Sequence, residues 1–298
     1  MMALAVGLVL AQASTPATKV ATAADPPAAA DVVLVGAGDI AFCADLSGAE
    51  ATARLIDAIP GVVFTLGDHA YPDGRAEEFA SCYGPTWGRH KARTRPSLGN
   101  HDYHTPHAAG YFGYWGEIAG DPSKGYYSYE AGTWHVVVIN SNCTEVGGCE
   151  PGSPQERWLR EDLSAHPSDC ALAYWHHPLF SSGIKPSHAL HPEMRAIWQA
   201  LYAAGAELVV NGHEHNYERF APQDPDGAPD PARGIRQIIA GVGGRDFHPL
   251  STPMANSEVR SDSAFGVLKL TLHPKSYDWE FVPVAGQSFR DAGSGSCH

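Results

Sequence analysis

Residues 32–39 read Val-Val-Leu-Val-Gly-Ala-Gly-Asp, a short β-branched run that stops at glycine and an acidic side chain. A run of this length and composition predicts a buried strand that delivers Asp39 at its carboxyl end. The arrangement returns at residues 62–68, where the run ends in Gly67-Asp68. Two such strands, separated by helical spacing over residues 49–59, predict an α/β fold.

Three further apolar runs end in a side chain that can bind a metal, namely Asn100, His176 and His213. The carboxyl ends of strands in an α/β sheet border one crevice, so we expect these side chains to lie together there. Taken singly, an aspartate after a strand is usually a turn or helix cap. Because five such strand ends occur in one chain, a shared metal site is favoured over separate structural roles.

The rest of the chain adds antiparallel strands and helices. Alternating patterns predict hairpins over residues 126–140 and 266–283, and a capping box at 153–156 predicts the start of a helix. No repeat or linker divides the chain after residue 31. We therefore expect residues 31–298 to form a single catalytic domain of mixed sheets with helices outside.

The composition is that of a globular protein for which no nucleic-acid partner is expected. Of the 298 residues, 44% are hydrophobic, and the formal net charge is −13. No block of Lys or Arg could follow a nucleic-acid backbone, and no apolar run reaches the roughly eighteen residues of a membrane span. An anionic substrate would need a local positive centre, for which bound metal ions are the natural candidate.

Residues 1–30 differ from the rest of the chain. An apolar start is followed by small residues and a Pro/Ala/Thr-rich tract, which predicts a secretory signal and a disordered linker. No basic residue precedes the apolar start, so a plain disordered tail is the alternative. Export would make the protein secreted, extracellular or part of the cell envelope.

Six cysteines agree with export. Their number is even and no Cys-x-x-Cys pair occurs, which favours disulfides over a zinc site. Cys143 and Cys149 flank a turn-like stretch and are the first candidate pair. Cys43–Cys82 and Cys170–Cys297 would follow by elimination, although six cysteines allow fifteen pairings and reduced, buried thiols are the alternative.

Five blocks, taken in order, resemble those of the calcineurin-like metallophosphoesterases. The blocks are Gly38-Asp39, Gly67-Asp68-His69-Ala70-Tyr71, Gly99-Asn100-His101-Asp102, His176 and Gly212-His213-Glu214-His215. The resemblance covers most of the chain from residue 31 to residue 220. It implies a fold of class α/β (α+β), a four-layer α/β/β/α sandwich of two mixed β-sheets flanked by helices.

One departure from the broad family pattern points to a branch. Most members carry Asp-x-His in the first block, where this chain has Asp39-Ile40-Ala41. Tyr71, three residues after Asp68, stands where purple acid phosphatases supply a tyrosine ligand instead. The missing histidine and the tyrosine agree with one another, so the chain resembles the purple acid phosphatase branch.

The resemblance implies a pair of metal ions held by seven side chains. Asp68 would bridge both ions. The first would be Fe(III), because a phenolate favours a trivalent ion, and the second would be divalent Zn, Fe or Mn. The expected ligands are Asp39, Tyr71 and His215 for the first ion and Asn100, His176 and His213 for the second.

Three further residues are expected to act on the substrate. His101 would hydrogen-bond the phosphate and help to protonate the leaving alkoxide, oriented by Asp73. His188, in the segment after the fourth block, would contact the substrate. Of His176 and the adjacent His177, the first is the expected ligand because the family has its histidine two residues before a proline. The remaining histidines, including His69, His104, His107 and His177, are expected at the pocket rim, in packing or on the surface.

The implied reaction is hydrolysis of small phosphate monoesters by metal-bound hydroxide, because two cations neutralise the phosphoryl oxygens that repel the nucleophile. A phosphodiesterase or nucleotidase on the same site is the alternative, with loops such as 104–120 and 223–234 deciding specificity. The aromatic residues of the first loop could stack on a leaving group or simply pack. A non-catalytic protein would be expected to have lost a ligand or His101, and none is missing. The sequence leaves the oligomeric state open.

Overall fold

The computed structural model describes residues 30–183 and 191–298. Most of the predicted signal and linker, and also His188, lie outside the described residues. The α-helices are α1 (Ser47–Ala58), α2 (Ala76–Glu78), α3 (Ala109–Trp115), α4 (Pro154–Ala165) and α5 (Arg195–Ala203). The strands are β1 (Val32–Ala37), β2 (Ala41–Phe42), β3 (Val62–Leu66), β4 (Ala70–Tyr71), β5 (Thr94–Ser97), β6 (Tyr127–Ala131), β7 (Trp134–Val138), β8 (Cys170–Trp175), β9 (Leu208–Asn211), β10 (Tyr217–Phe220), β11 (Arg236–Ala240), β12 (Ser257–Ser261), β13 (Gly266–His273), β14 (Ser276–Pro283) and β15 (Ala292–Ser296).

The strands form two large mixed sheets and one pair, β2-β4. The first sheet has the order β15-β14-β13-β1-β3-β5, in which β1, β3 and β5 are parallel. The second has the order β12-β10-β11-β9-β8-β7-β6, in which β7, β8, β9 and β11 are parallel. Each large sheet therefore contains a parallel set whose carboxyl ends can border a site, with antiparallel strands beside it.

Three apolar clusters separate four layers. The first lies between the two sheets and includes Leu34 of β1 and Leu172 of β8. The second packs α1 and α3 on the first sheet, and the third packs α4 and α5 on the second. Leu34 and the adjacent Val35 belong to different clusters, as successive residues of a strand must. The predicted single-domain α/β/β/α sandwich is confirmed.

Five strands have no counterpart in the sequence-based prediction, namely the two-residue strands β2 and β4 and the longer strands β10, β12 and β15. β12 and β15 are rich in polar residues or glycine, and β10 carries Glu218 and Arg219, so none has the apolar signature of a strand. Both charged side chains of β10 are nevertheless buried, because Glu218 accepts hydrogen bonds from Ser182 and Arg219 pairs with Asp291. Tertiary partners therefore decide these strands.

The aromatic residues of the loop at 104–120 pack. Residues 109–115 form α3, and Tyr111 and Trp115 are buried in the cluster beneath it. Phe112 and Tyr114 are partly buried against the same cluster. Packing therefore accounts for two of these side chains fully and for the other two in part.

Three disulfides join the cysteines as the sequence suggested. The Cα–Cα distances are 5.3 Å for Cys43–Cys82, 5.2 Å for Cys143–Cys149 and 5.5 Å for Cys170–Cys297, all within the normal range. The third bond ties the end of the chain to β8. Within residues 30–183 and 191–298, no helix has the length and apolarity needed to cross a membrane.

Candidate metal centre

Five strand ends deliver candidate ligands to one place. Asp39, Asp68 and Asn100 follow β1, β3 and β5 of the first sheet, and His176 and His213 follow β8 and β9 of the second. The backbone N–H of His213 donates a hydrogen bond of 2.9 Å to Asp39 Oδ2, across the two sheets. The candidate centre is therefore divided between the sheets, at the edge where their parallel strands end.

The backbone at three of these positions is left-handed. The φ angles are 61° at Asp39, 52° at Asp68 and 69° at His213. Non-glycine residues in this region cost about 1–3 kcal/mol each, and such strain collects at functional sites. Glycine is required beside them, since a Cβ on Gly99 would lie 2.1 Å from Asp68 Oδ1. The close approach of Gly99 to Asp68 thus explains the glycine before Asn100.

One half of the centre is gathered around the phenol oxygen of Tyr71. Tyr71 Oη lies 2.9 Å from Asp39 Oδ1 and 2.9 Å from Asp68 Oδ2. The Nε2 atom of His215 lies 3.3 Å from Tyr71 Oη and 3.3 Å from Asp39 Oδ1. Asp39, Asp68 and Tyr71 are 0%, 1% and 2% exposed, so two carboxylates converge on one buried oxygen.

The other half is gathered around the amide oxygen of Asn100. Asn100 Oδ1 lies 3.0 Å from His176 Nε2 and 3.0 Å from His213 Nδ1. His176 Nε2 is also 3.4 Å from Asp68 Oδ2. A single oxygen of Asp68 is therefore within reach of both halves.

These residues fit a pair of metal ions. The donor atoms of Asp39, Asp68 and His176 lie within 4.8 Å of one another. Buried carboxylates need a compensating cation, and a set of carboxylate, phenol, amide and imidazole donors suits iron, zinc or manganese. The fit rests on the donor set and its convergence.

Oppositely charged side chains in this centre shift one another's pKa values. Burial opposes the charged form of Asp68, but His176 and His101 outweigh burial and lower the Asp68 pKa. Burial also opposes protonation of His176 and His215, yet the neighbouring carboxylates, Asp68 and Asp39 above all, raise each pKa to about 9. Burial, Asp39 and Asp68 together raise the pKa of Tyr71 well above its usual range.

His101 lies at the edge of the centre and is oriented by a backbone carbonyl. The backbone N–H of His101 donates to Asp68 Oδ1 at 2.8 Å, and the ring Nδ1 lies 2.5 Å from the Pro72 carbonyl oxygen. The Asp73 carboxylate instead lies 2.6 Å from Arg75 Nη2 and 3.3 Å from His104 Nδ1. Pro72 thus takes the orienting contact expected of Asp73, whose carboxylate is held by Arg75 and His104.

The two histidines of the doublet make different contacts. His176 Nδ1 lies 2.6 Å from the Leu66 carbonyl oxygen, so it carries the hydrogen, and Nε2 is left to face the centre. The His177 ring Nδ1 lies 2.8 Å from Ser141 Oγ. His191, which the sequence motifs did not single out, places its ring 4.4 Å from that of His177 and 5.2 Å from that of His213.

His69 is a packing residue, as expected. Its ring lies 2.7 Å from Thr65 Oγ1 and 3.1 Å from Asp102 Oδ2. Asp102 also accepts the backbone N–H of Asp68 at 3.2 Å and that of Gly99 at 2.9 Å. This pair therefore supports the turns that carry the candidate ligands.

The segment after β11 contributes residues that motif reasoning missed. Asp246 Oδ1 lies 2.8 Å from His215 Nδ1, and the His248 ring stacks on that of His215 at 3.8 Å between centroids. Hydrogen bonding to His215 is the main cause that lowers the pKa of Asp246. Together with Arg245 these residues line a cavity of about 170 Å³ that also exposes Asp68, Tyr71 and Asn100. The signal available in the sequence was the apolar strand β11, followed by Gly-Val-Gly-Gly at residues 241–244 and then by polar residues.

The fold and the centre together define a class of protein in which two mixed sheets flanked by helices carry candidate metal ligands where their parallel strands end. Residues 38–217 match the family described as calcineurin-like phosphoesterase. The chain belongs to this family of phosphoric ester hydrolases. The matched range includes all seven candidate ligands.

Curated relatives confirm the resemblance to the purple acid phosphatase branch. The chain is 32% identical over 104 residues to purple acid phosphatase 15 of Arabidopsis thaliana, covering 34% of this chain and 19% of that protein. It is 26% identical over 265 residues to purple acid phosphatase 21 of the same plant, covering 80% and 58%. The chain thus spans between about a fifth and three fifths of these relatives.

Solved structures share the fold at low sequence identity. The yellow lupin purple acid phosphatase PPD1 superposes with a TM-score of 0.68 at 16% identity, over 90% of this chain and 54% of that one. GAP50, described as the anchor in the inner membrane complex of Plasmodium, gives 0.68 at 14% identity, over 90% and 89%. A Danio rerio dimetal phosphatase gives 0.60 at 12% identity, over 90% and 99%. Since one fold carries a phosphatase and an anchor, function must be argued from the centre.

Proposed function

We propose that this chain is a secreted phosphatase that hydrolyses phosphate monoesters with a pair of bound metal ions. The observation that carries the proposal is the position of Asp68 Oδ2. It lies 2.9 Å from Tyr71 Oη and 3.4 Å from His176 Nε2, so one carboxylate joins two groups of donors. A bridging carboxylate is what a dinuclear centre requires of a single side chain.

The donor groups divide naturally between two ions. Asp39, Tyr71 and His215 would hold the first ion, and Asn100, His176 and His213 the second. When bound, the ions would neutralise the phosphoryl oxygens and supply the attacking hydroxide. A phenolate is a hard, anionic donor, which favours trivalent iron at the first position and divalent zinc, iron or manganese at the second.

His101 is the proposed proton donor to the leaving alkoxide. Its side chain is 29% exposed, and its Nε2 atom lies 3.9 Å from Asp68 Oδ2, at the mouth of the centre. The contact of Nδ1 with Pro72 fixes which ring edge faces the cavity. Asp73 would influence His101 only through His104, whose ring lies 4.4 Å away. A substrate contact by His188 stays a prediction.

Metal analysis coupled to a substrate panel tests the proposal. We expect two ions per chain and turnover of phosphate monoesters in excess of diesters. Asp68→Asn should lower kcat by at least about a thousandfold, because several kcal/mol of charge stabilisation depend on the bound ions. The control is Asp169→Asn, an exposed residue paired only with Lys275 among the described contacts, which should keep full activity. A folded Asp68→Asn enzyme with the wild-type rate would refute the proposal.

Visible absorption tests the identity of the first ion separately. A phenolate bound to Fe(III) should give a charge-transfer band that Tyr71→Phe abolishes. A colourless and fully active di-zinc enzyme would contradict the iron assignment and leave the phosphatase assignment standing.

Export is supported by three disulfides within the described residues, since such bonds persist in oxidising compartments. N-terminal sequencing of the mature protein should show cleavage within residues 1–30. Recovery of an uncleaved chain with reduced cysteines from the cytosol would contradict export.

A further inference from the structure

Arg245 places a permanent positive charge beside the candidate centre. Among the described residues that line the 170 Å³ cavity, it alone is a lysine or arginine. The whole chain has a net charge of −13, so anions gain no long-range attraction from it. A fixed cation at the cavity is therefore a local exception with a function to explain.

The backbone that carries Arg245 is fixed against the first sheet. Gly243 N–H donates to the Gly38 carbonyl at 2.8 Å, and Arg245 N–H donates to the Asp39 carbonyl at 2.9 Å. Gly244 has a φ of +146°, and a Cβ there would lie 2.3 Å from the backbone nitrogen of Ala49. Only glycine permits this approach, so the position of Arg245 is set by the fold.

The guanidinium group lies over the Phe42 ring, and only one of its nitrogens has a polar partner among the described contacts. Its central carbon lies 3.8 Å from the centroid of the Phe42 ring and 5.1 Å from that of Tyr71. One terminal nitrogen lies 3.3 Å from Asp246 Oδ1, and Nε is buried without a hydrogen-bond partner in the described part of the chain. A guanidinium edge matches the paired oxygens of phosphate or carboxylate groups.

The guanidinium lies outside the set of donors that would hold the ions. Its ion pair is with Asp246, and among the described contacts it pairs with neither Asp39 nor Asp68. Tyr71 directs its oxygen to those two carboxylates, while the guanidinium carbon lies 5.1 Å from the centre of the tyrosine ring. This position suits an anionic group other than the one that the ions would hold.

We propose that Arg245 forms a subsite for a second anionic group, phosphoryl or carboxylate, on the leaving-group side of the substrate. The inference rests on the proposed phosphatase function and adds substrate selectivity to it. Substrates with a charged leaving group are bound through the edge of Arg245, and those with a neutral leaving group make no use of it.

Two matched pairs of substrates test the subsite. ADP and AMP differ by one phosphoryl group, and 4-carboxyphenyl phosphate and phenyl phosphate differ by one carboxylate. For each pair, the ratio is kcat/KM of the substrate with the charged leaving group divided by kcat/KM of the substrate with the neutral one. In Arg245→Met this ratio should fall about tenfold or more for at least one pair, the effect expected from losing one charge-assisted contact. The change should lie in KM, with kcat for phenyl phosphate within about twofold of wild type. The pair that responds identifies the chemistry of the group.

Further variants separate selectivity from structural damage. Methionine keeps the apolar contact with Phe42, and Arg245→Lys keeps the charge and should recover part of the ratio. Arg54→Met, an exposed helix residue paired with Glu50, should change neither ratio. Unchanged ratios in Arg245→Met, or an equal loss for charged and neutral leaving groups, would overturn the subsite.

Failure of the phosphatase assignment is recognised independently, because wild-type protein would then turn over none of the four compounds. In that case the ratio of the dissociation constants of ADP and AMP, measured by calorimetry with wild-type and Arg245→Met protein, tests the subsite without turnover. A ratio that the substitution leaves unchanged would again overturn it.

Discussion

The imidazole of His215 is engaged at both ring nitrogens. Its Nε2 faces Asp39 and Tyr71 at 3.3 Å, and its Nδ1 lies 2.8 Å from Asp246 Oδ1. A carboxylate on the outer nitrogen fixes the ring and keeps the lone pair of Nε2 directed at the centre. Asp246 is thus a positioning residue for His215.

Removing this carboxylate should weaken the first metal position. Asp246→Ala is expected to lower the affinity for that ion by roughly 10–100-fold, and Asp246→Asn should restore part of it because its amide oxygen still accepts from Nδ1. Titration of iron, followed by the phenolate absorption band, measures the affinity directly. Asp169→Ala is the control for loss of an exposed carboxylate, and equal affinities for wild type and Asp246→Ala would contradict the role.

Among single residues, the sequence predicted those that stand in motifs and missed those whose role depends on a tertiary contact. Asp39, Asp68 and Asn100 follow β-branched or apolar runs and could be read directly. Asp246 lies 31 residues after the histidine it orients, and no spacing rule links the two. The Pro72 carbonyl that holds His101 could not be read from any side-chain pattern, because every residue carries a carbonyl.

Among the elements, the turn after β5 has little room for change. A Cβ on Gly99 would lie 2.1 Å from Asp68 Oδ1 and 2.3 Å from the Asp68 backbone nitrogen. Gly113 in α3 is the natural comparison, since a Cβ there would meet nothing within 4 Å. Comparing the two glycines therefore distinguishes a position in close contact with the centre from an open position in a helix.

The substitutions Gly99→Ala and Gly113→Ala should therefore have opposite effects. Gly99→Ala is expected to displace Asp68, destabilise the fold by about 1–3 kcal/mol and lower metal binding. Gly113→Ala should be neutral or stabilise by up to about 1 kcal/mol, because alanine is the better helix former. Urea unfolding and metal content measure both effects. Equal stabilities of the two variants would show that the turn can relax.

Elements were predictable where an apolar run matched a buried strand. β3 coincides with the apolar run predicted before Gly67-Asp68, and β8 ends directly before His176 as predicted, because each run is continuous and both faces of each strand are buried. β10 was not predictable, since its buried Glu218 and Arg219 depend on Ser182 and Asp291, which lie far away in sequence.

For the molecule as a whole, the metal-free protein should respond to pH through its histidines. His176 and His215 have a pKa of about 9 in the fold, above the usual value near 6.5. Their contribution to stability is complete below about pH 6.5 and is lost as the pH rises through about 9. The lowered pKa of Asp68 acts only at more acidic pH and does not oppose this trend.

Urea unfolding at pH 6.5 and pH 9 in the presence of a chelator tests this expectation. The free energy of unfolding should fall across the interval for the metal-free protein. The metal-loaded protein should lack this fall, because the ions replace the protons. A metal-free protein whose stability is flat or rises with pH would contradict the pKa shifts described for the centre.

Because the centre is divided between two sheets, the packing between the sheets sets the distance between its two groups of candidate ligands. Three of the strand-end ligands move with the first sheet and two with the second, while the apolar cluster around Leu34 and Leu172 sets the spacing of the sheets. Protein interiors are close-packed, so a changed side-chain volume there is transmitted as a shift of the packed layers. A substitution between apolar residues in this cluster would thus change the separation of the two groups of ligands. Catalysis would change with it, although every side chain in the cavity stayed the same.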